Sequence, residues 1–237
     1  MKMTILSGSG RYQDEWHDFT ATSVEVARAL EPLDLEVAVR AFKPRGVVED
    51  VADADLLVVN AGSGEYHPSS DGPEDAWAEA FQVLRDHRTR RRPVLALHAA
   101  SNTLDGLPEW PQWIGGRWNR ERSMHPPIGR ARVEVTDGDH PVTAGLEAFT
   151  LHDERYCHLD LAPGSRVLLH HEHEGTRQPL VWATEADGAR AVYDALGHDV
   201  ASFASADRVD LLQREVRWLL GCGRQGRAQV GRVQSTS

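Results

Sequence analysis

The sequence predicts an α/β fold with a mostly parallel central sheet, and three observations support this prediction. Short apolar runs rich in valine, leucine and isoleucine alternate with amphipathic segments at the spacing of βαβ units. One of these runs, residues 56–59, is apolar without interruption, as expected for a strand covered by helices on both faces. The chain of 237 residues is long enough for one domain with an ample core.

In the first half, strands and helices are expected to alternate. Strands are expected at residues 3–7, 35–42, 56–59 and 93–98, and helices at about 22–30 and 73–88. Thr22 or Ser23 is the predicted N-cap of the first helix. A polar loop rich in glycine and aromatic residues follows the first strand. Because open parallel sheets bind ligands at the carboxyl ends of their strands, we expect this loop at the edge of a cleft.

The second half is less regular. Residues 102–128, which include Trp110 and Trp113, resemble an irregular, lid-like insertion. Further strands are expected at 130–135, 165–170, 179–184 and 190–196. A closing helix at about 207–220 should bury the stripe formed by Val209, Leu212, Val216 and Leu219. Residues 1–222 are thus predicted to be a single domain, and the polar tail at 223–237 to be disordered.

The overall composition excludes several classes of partner. The chain has 36 acidic and 26 basic residues, a formal net charge of -10, which argues against a nucleic-acid partner bound through a basic face. It has no apolar run near the roughly 18 residues of a membrane span, and its apolar start is too short for a secretory signal, so a cytoplasmic protein without a membrane partner is expected. The two cysteines, Cys157 and Cys222, predict neither a disulfide framework nor a metal site.

Several short motifs occur in the order and spacing of a known family. They are Gly115-Gly116-Arg117 with His125-Pro126, DHPVTAGL at 139–146, Asp153-Glu154-Arg155-Tyr156, PLVWATE at 179–185 and ARAVYDALGH at 189–198. Together they resemble the trehalose-utilisation (ThuA-like) family over roughly residues 3–221. The resemblance implies a flavodoxin-like three-layer sandwich, related to class I glutamine amidotransferases, with a cleft at the strand ends.

His98 occupies an informative position in this resemblance. The nucleophile elbow of class I glutamine amidotransferases reads Gly-x-Cys-x-Gly, and the counterpart here is Ala-Leu-His-Ala-Ala at residues 96–100. A histidine replaces the thiol, and the segment around His198 lacks the glutamate that such amidotransferases pair with their histidine. The resemblance therefore implies a chain that is not a glutamine amidotransferase. The small residues around His98 fit a tight turn whose side chain projects.

Imidazole and carboxylate groups are expected to do the chemistry instead. The candidates that fall at predicted strand ends are His17, His98, Asp153, Glu154 and His198. Two or three histidines and one carboxylate with an open position could hold Zn²⁺, Mn²⁺ or a similar ion that activates water, and His17, His98 and Asp153 are the predicted ligands. In acid-base chemistry, His98 or His198 would be the base and Glu154 or Asp153 the acid. Packing in the core remains the alternative for His98, and roles in turns or loops for the others.

Other histidines are expected to be structural. His125 and His140 each precede a proline, which is typical of a turn, although His125 is also retained as a substrate contact. The run HHEHE at residues 170–174 resembles a metal-binding tract in composition. Because it lies between two predicted strands, we expect it in a solvated hairpin turn.

Aromatic residues in predicted loops indicate the class of substrate, because their rings can stack on the C–H faces of a sugar. These residues are Trp16, Tyr66, Trp113, Trp118 and Tyr156. Arg117 is the predicted partner of substrate oxygens. The expected function is hydrolysis or elimination of a glycoside or keto-sugar, with no nucleotide cofactor. A non-catalytic module that binds a sugar or a protein, and a subunit that works beside a sugar oxidoreductase, remain open, as does a homo-oligomer.

Overall fold

The computed structural model describes residues 1–222, which form a nine-stranded sheet flanked by helices. The strands are β1 (Lys2–Ser7), β2 (Glu36–Ala41), β3 (Leu56–Asn60), β4 (Val94–Leu97), β5 (Gly116–Arg117), β6 (Gly129–Val135), β7 (Phe149–Asp153), β8 (Asp160–Leu161), β9 (Arg166–His173), β10 (Thr176–Thr184) and β11 (Ala191–Asp194). The helices are α1 (Phe19–Leu30), α2 (Pro44–Asp50), α3 (Pro68–Asp71), α4 (Glu74–Thr89), α5 (Trp110–Ile114) and α6 (Ala206–Leu219). The tail predicted to be disordered, residues 223–237, lies outside the described residues.

The sheet has a parallel and an antiparallel half. Its strand order is β2-β1-β3-β4-β11-β10-β9-β6-β7. The first five strands are parallel, and the last four extend the sheet by antiparallel pairing. Strands β5 and β8 pair separately. The predicted α/β class with a mostly parallel core is confirmed, and the antiparallel extension accounts for the less regular second half of the sequence.

Helices cover the parallel half on both faces. The chain passes from β1 to β2 on one side and returns to β3 on the other, so right-handed crossovers place α1 and α2 on opposite faces. Helix α6 packs beside α1, and α4 packs beside α2. The resulting three layers bury every residue of β3 and β4, as the unbroken apolar runs predict. No helix within residues 1–222 is long and apolar enough to cross a bilayer.

The predicted start of the first helix is wrong by several residues. The Asp18 carboxylate accepts a hydrogen bond from the Ala21 amide and caps the helix, which begins at Phe19. Thr22 lies inside the first turn, where its hydroxyl donates to the Asp18 carbonyl oxygen. Ser23 is buried there as well. The helix therefore begins earlier because Asp18 supplies the side-chain acceptor that was assigned to Thr22 or Ser23.

Two local predictions, for the tryptophans near residue 110 and for the histidine-rich run, are corrected by the structure. Trp110 and Trp113 lie on α5 and are buried in the core, so Trp113 is not the substrate-facing loop aromatic that the sequence predicted. The histidine-rich run belongs to β9, in which His170 and His171 are buried, and the hairpin turn consists of Glu174 and Gly175 alone. Both turn residues have positive φ, as two-residue hairpin turns require, so the strand can continue up to His173.

Candidate functional site

His98 follows β4 directly and occupies a strained turn. Its φ of 44° lies in the left-handed region, which is uncommon for a residue other than glycine. The side chain is buried, and its Nδ1 lies 2.6 Å from the Ala195 carbonyl oxygen. A carbonyl oxygen can only accept, so Nδ1 carries the proton and, in the neutral ring, Nε2 keeps its lone pair and lies 3.3 Å from His198 Nδ1. His98 was expected either to pack in the core or to take part in the site. The structure combines the two, because Nδ1 is bonded to the core and Nε2 faces the site.

His198 is presented by a turn that Asp153 holds in place. The turn after β11 passes through Gly197, whose φ is 107°. The Asp153 carboxylate accepts hydrogen bonds from the amides of Gly197 (2.9 Å) and His198 (3.1 Å), from the Ser202 hydroxyl (2.6 Å) and from the Glu154 amide (2.8 Å). Both of its oxygens are therefore occupied. The structure does not bring Asp153 into the group of candidate metal ligands, contrary to its sequence-based assignment as one.

Glu154 lies between three imidazoles. Its Oε2 is 3.4 Å from His98 Nε2 and 3.4 Å from His198 Nδ1, and its Oε1 is 2.9 Å from His125 Nδ1. Burial alone would raise the pKa of Glu154, but the interactions with His198 and then with His98 outweigh it and hold the pKa far below its usual range. The hydrogen bond to Glu154 in turn raises the pKa of His198. The carboxylate is therefore ionised at neutral pH.

His17 approaches the same point from the loop after β1. Its Nδ1 lies 2.7 Å from Asp14 Oδ1, while its Nε2 is buried without a hydrogen-bond partner. Burial lowers the pKa of His17 despite the bond to Asp14. Burial works to raise the pKa of Asp14, but the hydrogen bond from His17 outweighs it and lowers that pKa. The ring is therefore neutral, with Nδ1–H directed at Asp14 and the free lone pair on Nε2.

These four side chains form one group, which we call the ligand cluster: His17, His98, Glu154 and His198. Each offers one ligand atom, and the four atoms lie within 4.8 Å of one another. Three imidazoles and one carboxylate are a donor set that first-row divalent metals accept. The parallel strand ends supply the histidines, and the end of β7 supplies Glu154. The geometry permits either metal binding or acid-base chemistry.

Aromatic rings and His125 line one side of the ligand cluster. Tyr156 stacks on His98 with ring centroids 4.4 Å apart, and Trp118 meets the Tyr156 ring edge-on at 4.7 Å. Tyr156 is itself buried, whereas His125 is almost half exposed. The structure thus brings Tyr156, Trp118 and His125 together beside the ligand cluster.

Three other predicted substrate contacts have different neighbours. Arg117 forms an exposed ion pair with Asp160, with Nε 3.3 Å from Oδ2. Tyr66 lies under the Arg11 guanidinium and donates its hydroxyl hydrogen to the Gly72 carbonyl. Trp16 is 70% exposed beside an open pocket of about 480 Å³ that His17 also lines. Arg117 and Tyr66 are therefore not brought together with the ligand cluster.

The polar residues that support the ligand cluster were not predicted from the sequence. Asp14 could have been noticed, because it precedes His17 by three residues in the same loop. The buried Arg208 gave no such signal: its Nη1 lies 2.8 Å from Asp194 Oδ2, and its Nη2 donates to the Leu196 carbonyl. The Asp194 carboxylate also accepts from the Leu196 amide. An arginine within an amphipathic helix is normally assigned to solvent, and here it fixes the segment that leads to His198.

The burial of Arg208 also changes the buried stripe that was predicted for the last helix. Ser205 caps α6, and Leu212, Val216 and Leu219 are buried as predicted. Val209 is only partly buried, because the neighbouring Arg208 faces the core to reach Asp194. Glu215 is buried in the same group, and burial raises its pKa well above the usual range.

Comparisons with known proteins agree with this fold. The chain matches the family model ThuA, described as trehalose utilisation, over residues 14–219. A ThuA-like protein from Parabacteroides merdae has a similar structure (TM-score 0.72, 20% identity, covering 93% of this chain and 90% of that one). A second, from Bacteroides uniformis, gives a TM-score of 0.70 at 16% identity and covers 92% and 91%.

More distant structures share the same architecture. A glutamine amidotransferase from Thermotoga maritima is similar at a TM-score of 0.56 and 10% identity, covering 93% of this chain and 98% of that one. No curated protein matches the sequence significantly. The likeness to solved structures shows the fold alone, whereas the family match covers most of the sequence. The chain therefore belongs to the ThuA (trehalose utilisation) family.

Proposed function

We propose that this protein is an enzyme that acts on a glycoside or keto-sugar by hydrolysis or elimination, assisted by a divalent metal such as Zn²⁺ or Mn²⁺. The observation that carries the proposal is the ligand cluster, in which three imidazoles and one carboxylate converge. His17 Nε2 is the sharpest part of that observation, because it is buried and has no partner. A buried acceptor without a partner is costly, and an ion would satisfy it.

The groups behind the cluster favour a metal that accepts nitrogen ligands. Asp14 holds His17 by Nδ1, and the Ala195 carbonyl holds His98 by Nδ1, so both rings present Nε2. This carboxylate or carbonyl support is typical of metal-bound histidines. Imidazole donors suit Zn²⁺ better than Ca²⁺ or Mg²⁺, which prefer oxygen, and the Glu154 carboxylate is the donor that also suits Mn²⁺.

The remaining residues can handle the substrate and its protons. When bound, the metal would polarise a carbonyl or hydroxyl oxygen of the sugar and lower its proton affinity. His125 lies at the exposed side of Glu154 and can exchange a proton with solvent. The partly exposed Trp118 supplies an aromatic face against which a sugar ring can stack, and the buried Tyr156 ring, stacked on His98, supports it from behind. The family's link to trehalose utilisation supports a carbohydrate substrate. If that substrate is a keto-sugar, a sugar oxidoreductase would have to supply it.

The first experiment measures the metal and its dependence on the cluster. Purified protein is analysed for stoichiometric metal, and Zn²⁺ and Mn²⁺ are titrated into the apo form of the wild type and of the His98→Ala and His17→Ala variants. His67→Ala is the matched control, since its side chain is 65% exposed and lies outside the cluster. We expect near-stoichiometric binding by the wild type and the control, and loss of binding in both cluster variants. Equal binding by all four proteins would refute the metal proposal.

The second experiment identifies the substrate. Thermal shifts are measured with sugars and keto-sugars, with and without the metal, and the compounds that bind are then assayed for turnover. His98→Ala should abolish turnover while the protein remains folded, and unchanged turnover would exclude His98 from the chemistry.

A non-catalytic sugar-binding module is the competing function. One observation favours it: Glu154 is already in contact with three imidazoles, so the network can satisfy itself without an ion. The two functions give different results. The module would bind a sugar equally well with and without metal, show no turnover, and retain binding in His98→Ala. The enzyme would lose turnover in that variant.

A further inference from the structure

A second pocket lies on the antiparallel half of the sheet and shares no residue with the ligand cluster. Its volume is about 460 Å³, which is within the range of small-molecule sites. Its charged lining residues are Arg130, Arg132, Glu134, Arg155, Glu172 and Arg177. His170 and Val135 complete the lining. Four arginines thus surround one cavity in a chain whose formal net charge is -10.

The pairing of these charges leaves two arginines in excess. Arg132 is neutralised by Glu134, with Nε 2.8 Å from Oε1. Arg177 lies directly opposite Glu172 in the β9–β10 ladder, where cross-strand neighbours of opposite charge attract. Among residues 1–222, Arg130 and Arg155 have no acidic partner within ion-pair distance. The pocket therefore carries an uncompensated positive charge of about two, if its imidazole is neutral.

Arg155 shows that this charge is not merely solvated. Its Nε is buried and has no hydrogen-bond partner, although the side chain lines the pocket. A buried guanidinium donor without a partner is unusual and costs free energy. An oxyanion within the pocket could accept from the guanidinium groups of Arg155 and Arg130 together, because both arginines line the cavity. Planar guanidinium groups match the oxygens of phosphate better than an ammonium does.

We propose that this pocket binds the phosphate group of a small phosphate ester, such as a phosphorylated sugar. The volume exceeds what a free phosphate ion needs, so the remaining space would hold the organic part of the ligand. His170 adds no strong charge, because burial and then the neighbouring Arg177 lower its pKa, against the opposing effect of Glu134 and Glu172. This site is separate from the proposed metal chemistry and stands whether or not the ligand cluster holds an ion.

The test measures binding of three probes by calorimetry: inorganic phosphate, glucose 6-phosphate and glucose. EDTA is present throughout, so that phosphate held by a metal is not counted. We expect the ester and inorganic phosphate to bind and glucose not to bind. Tighter binding of the ester would show that the organic part contributes, and equal binding would assign the affinity to the phosphate group. Failure of both phosphate-bearing probes to bind would overturn the proposal.

Two variants connect the binding to the arginines. Loss of a charge-assisted hydrogen bond in Arg130→Gln or in Arg155→Gln should weaken phosphate binding about tenfold. Arg45→Gln is the matched control, because it removes the same charge from an exposed arginine that pairs with Glu49 on α2. Circular dichroism and thermal melting check that each variant is folded. If Arg155→Gln does not fold, Arg155→Lys replaces it. That variant keeps the charge but loses the planar guanidinium, so phosphate binding should still weaken. Unchanged binding in the Arg130 and Arg155 variants, or an equal loss in the control, would refute the site.

Discussion

Two groups of histidines in this protein behave in opposite ways. His170, His171 and His173 are neighbours in the sequence, yet the structure separates them along β9. His17, His98 and His198 are separated by 81 and 100 residues, yet their rings lie 4.7 to 5.3 Å apart. The comparison shows that closeness in sequence is a poor guide to a metal site on a sheet.

The physical reason is the geometry of strands. Successive side chains of a strand point to opposite faces of the sheet, so two adjacent histidines cannot bind the same metal ion. His170 accordingly contacts the Thr136 hydroxyl (2.7 Å), whereas His171 contacts the Tyr156 carbonyl (3.0 Å). The carboxyl ends of parallel strands, in contrast, meet at one edge of the sheet and gather residues from distant parts of the chain.

The largest effect on metal binding is expected when the carboxylate of the ligand cluster is removed. Glu154→Gln keeps the shape of the side chain but replaces a charged ligand by a neutral amide. We expect Zn²⁺ affinity to fall about 100-fold, which corresponds to roughly 3 kcal/mol. Titration of the apo protein measures the effect. Glu172→Gln, an exposed carboxylate in the histidine-rich strand, is the control and should bind Zn²⁺ as the wild type does.

A substitution among the histidines of β9 should change the stability of the protein rather than its metal binding. His171→Ala removes the contacts of a buried ring with the Tyr156 carbonyl and with Cys157 Sγ. We expect the free energy of unfolding to drop by about 2 kcal/mol, from the lost hydrogen bond and the cavity. Urea denaturation measures the drop, and Zn²⁺ titration should show unchanged affinity. A loss of affinity as large as that of Glu154→Gln would mean that the two groups are not separate.

Asp14, which holds His17 of the ligand cluster in place, gives a finer test. Asp14→Asn keeps an acceptor near His17 Nδ1 but removes the negative charge that strengthens the imidazole as a ligand. Zn²⁺ affinity should fall about tenfold, as expected for a group that acts through a ligand. Asp18→Asn, in the same loop, is the matched control, since asparagine also caps helices well. An equal loss in both variants would indicate a disturbed loop rather than a weakened ligand.

A buried structural histidine should be visible in the pH dependence of stability. Burial lowers the pKa of His87 to about 4, against about 6.5 in the unfolded chain. The unfolded state therefore takes up the proton more readily, so this contribution to stability is present above pH 6.5 and is lost as the pH falls. Between pH 7.5 and 6, His87 should account for about 1 kcal/mol of that loss. The free energy of unfolding should depend less on pH in His87→Gln, and an unchanged slope would contradict the shift.

The sequence predicted most of the site's histidines because their positions follow from the strand order. His98 directly follows β4, His198 lies four residues after the end of β11, and His17 lies in the loop after β1. Each could be assigned to the cleft edge without coordinates. Trp113 was misassigned, because a segment with prolines and glycines resembles a loop even where a short helix is buried. Local pattern cannot reveal such burial, which depends on what packs over the segment.

The amino-acid pattern was enough to predict the α/β class, the parallel core and the residue types that meet at its edge, because apolar periodicity and the alternation of strands and helices along the chain are local properties. Only the tertiary structure decided which carboxylate joins the histidines. Asp153 and Glu154 are adjacent and chemically similar. The Asp153 carboxylate, however, accepts hydrogen bonds from the amides of Gly197 and His198, whereas Glu154 faces the imidazoles. That choice depends on the direction in which each side chain leaves the end of β7, and the pairing of β7 with β6 in the sheet sets this direction.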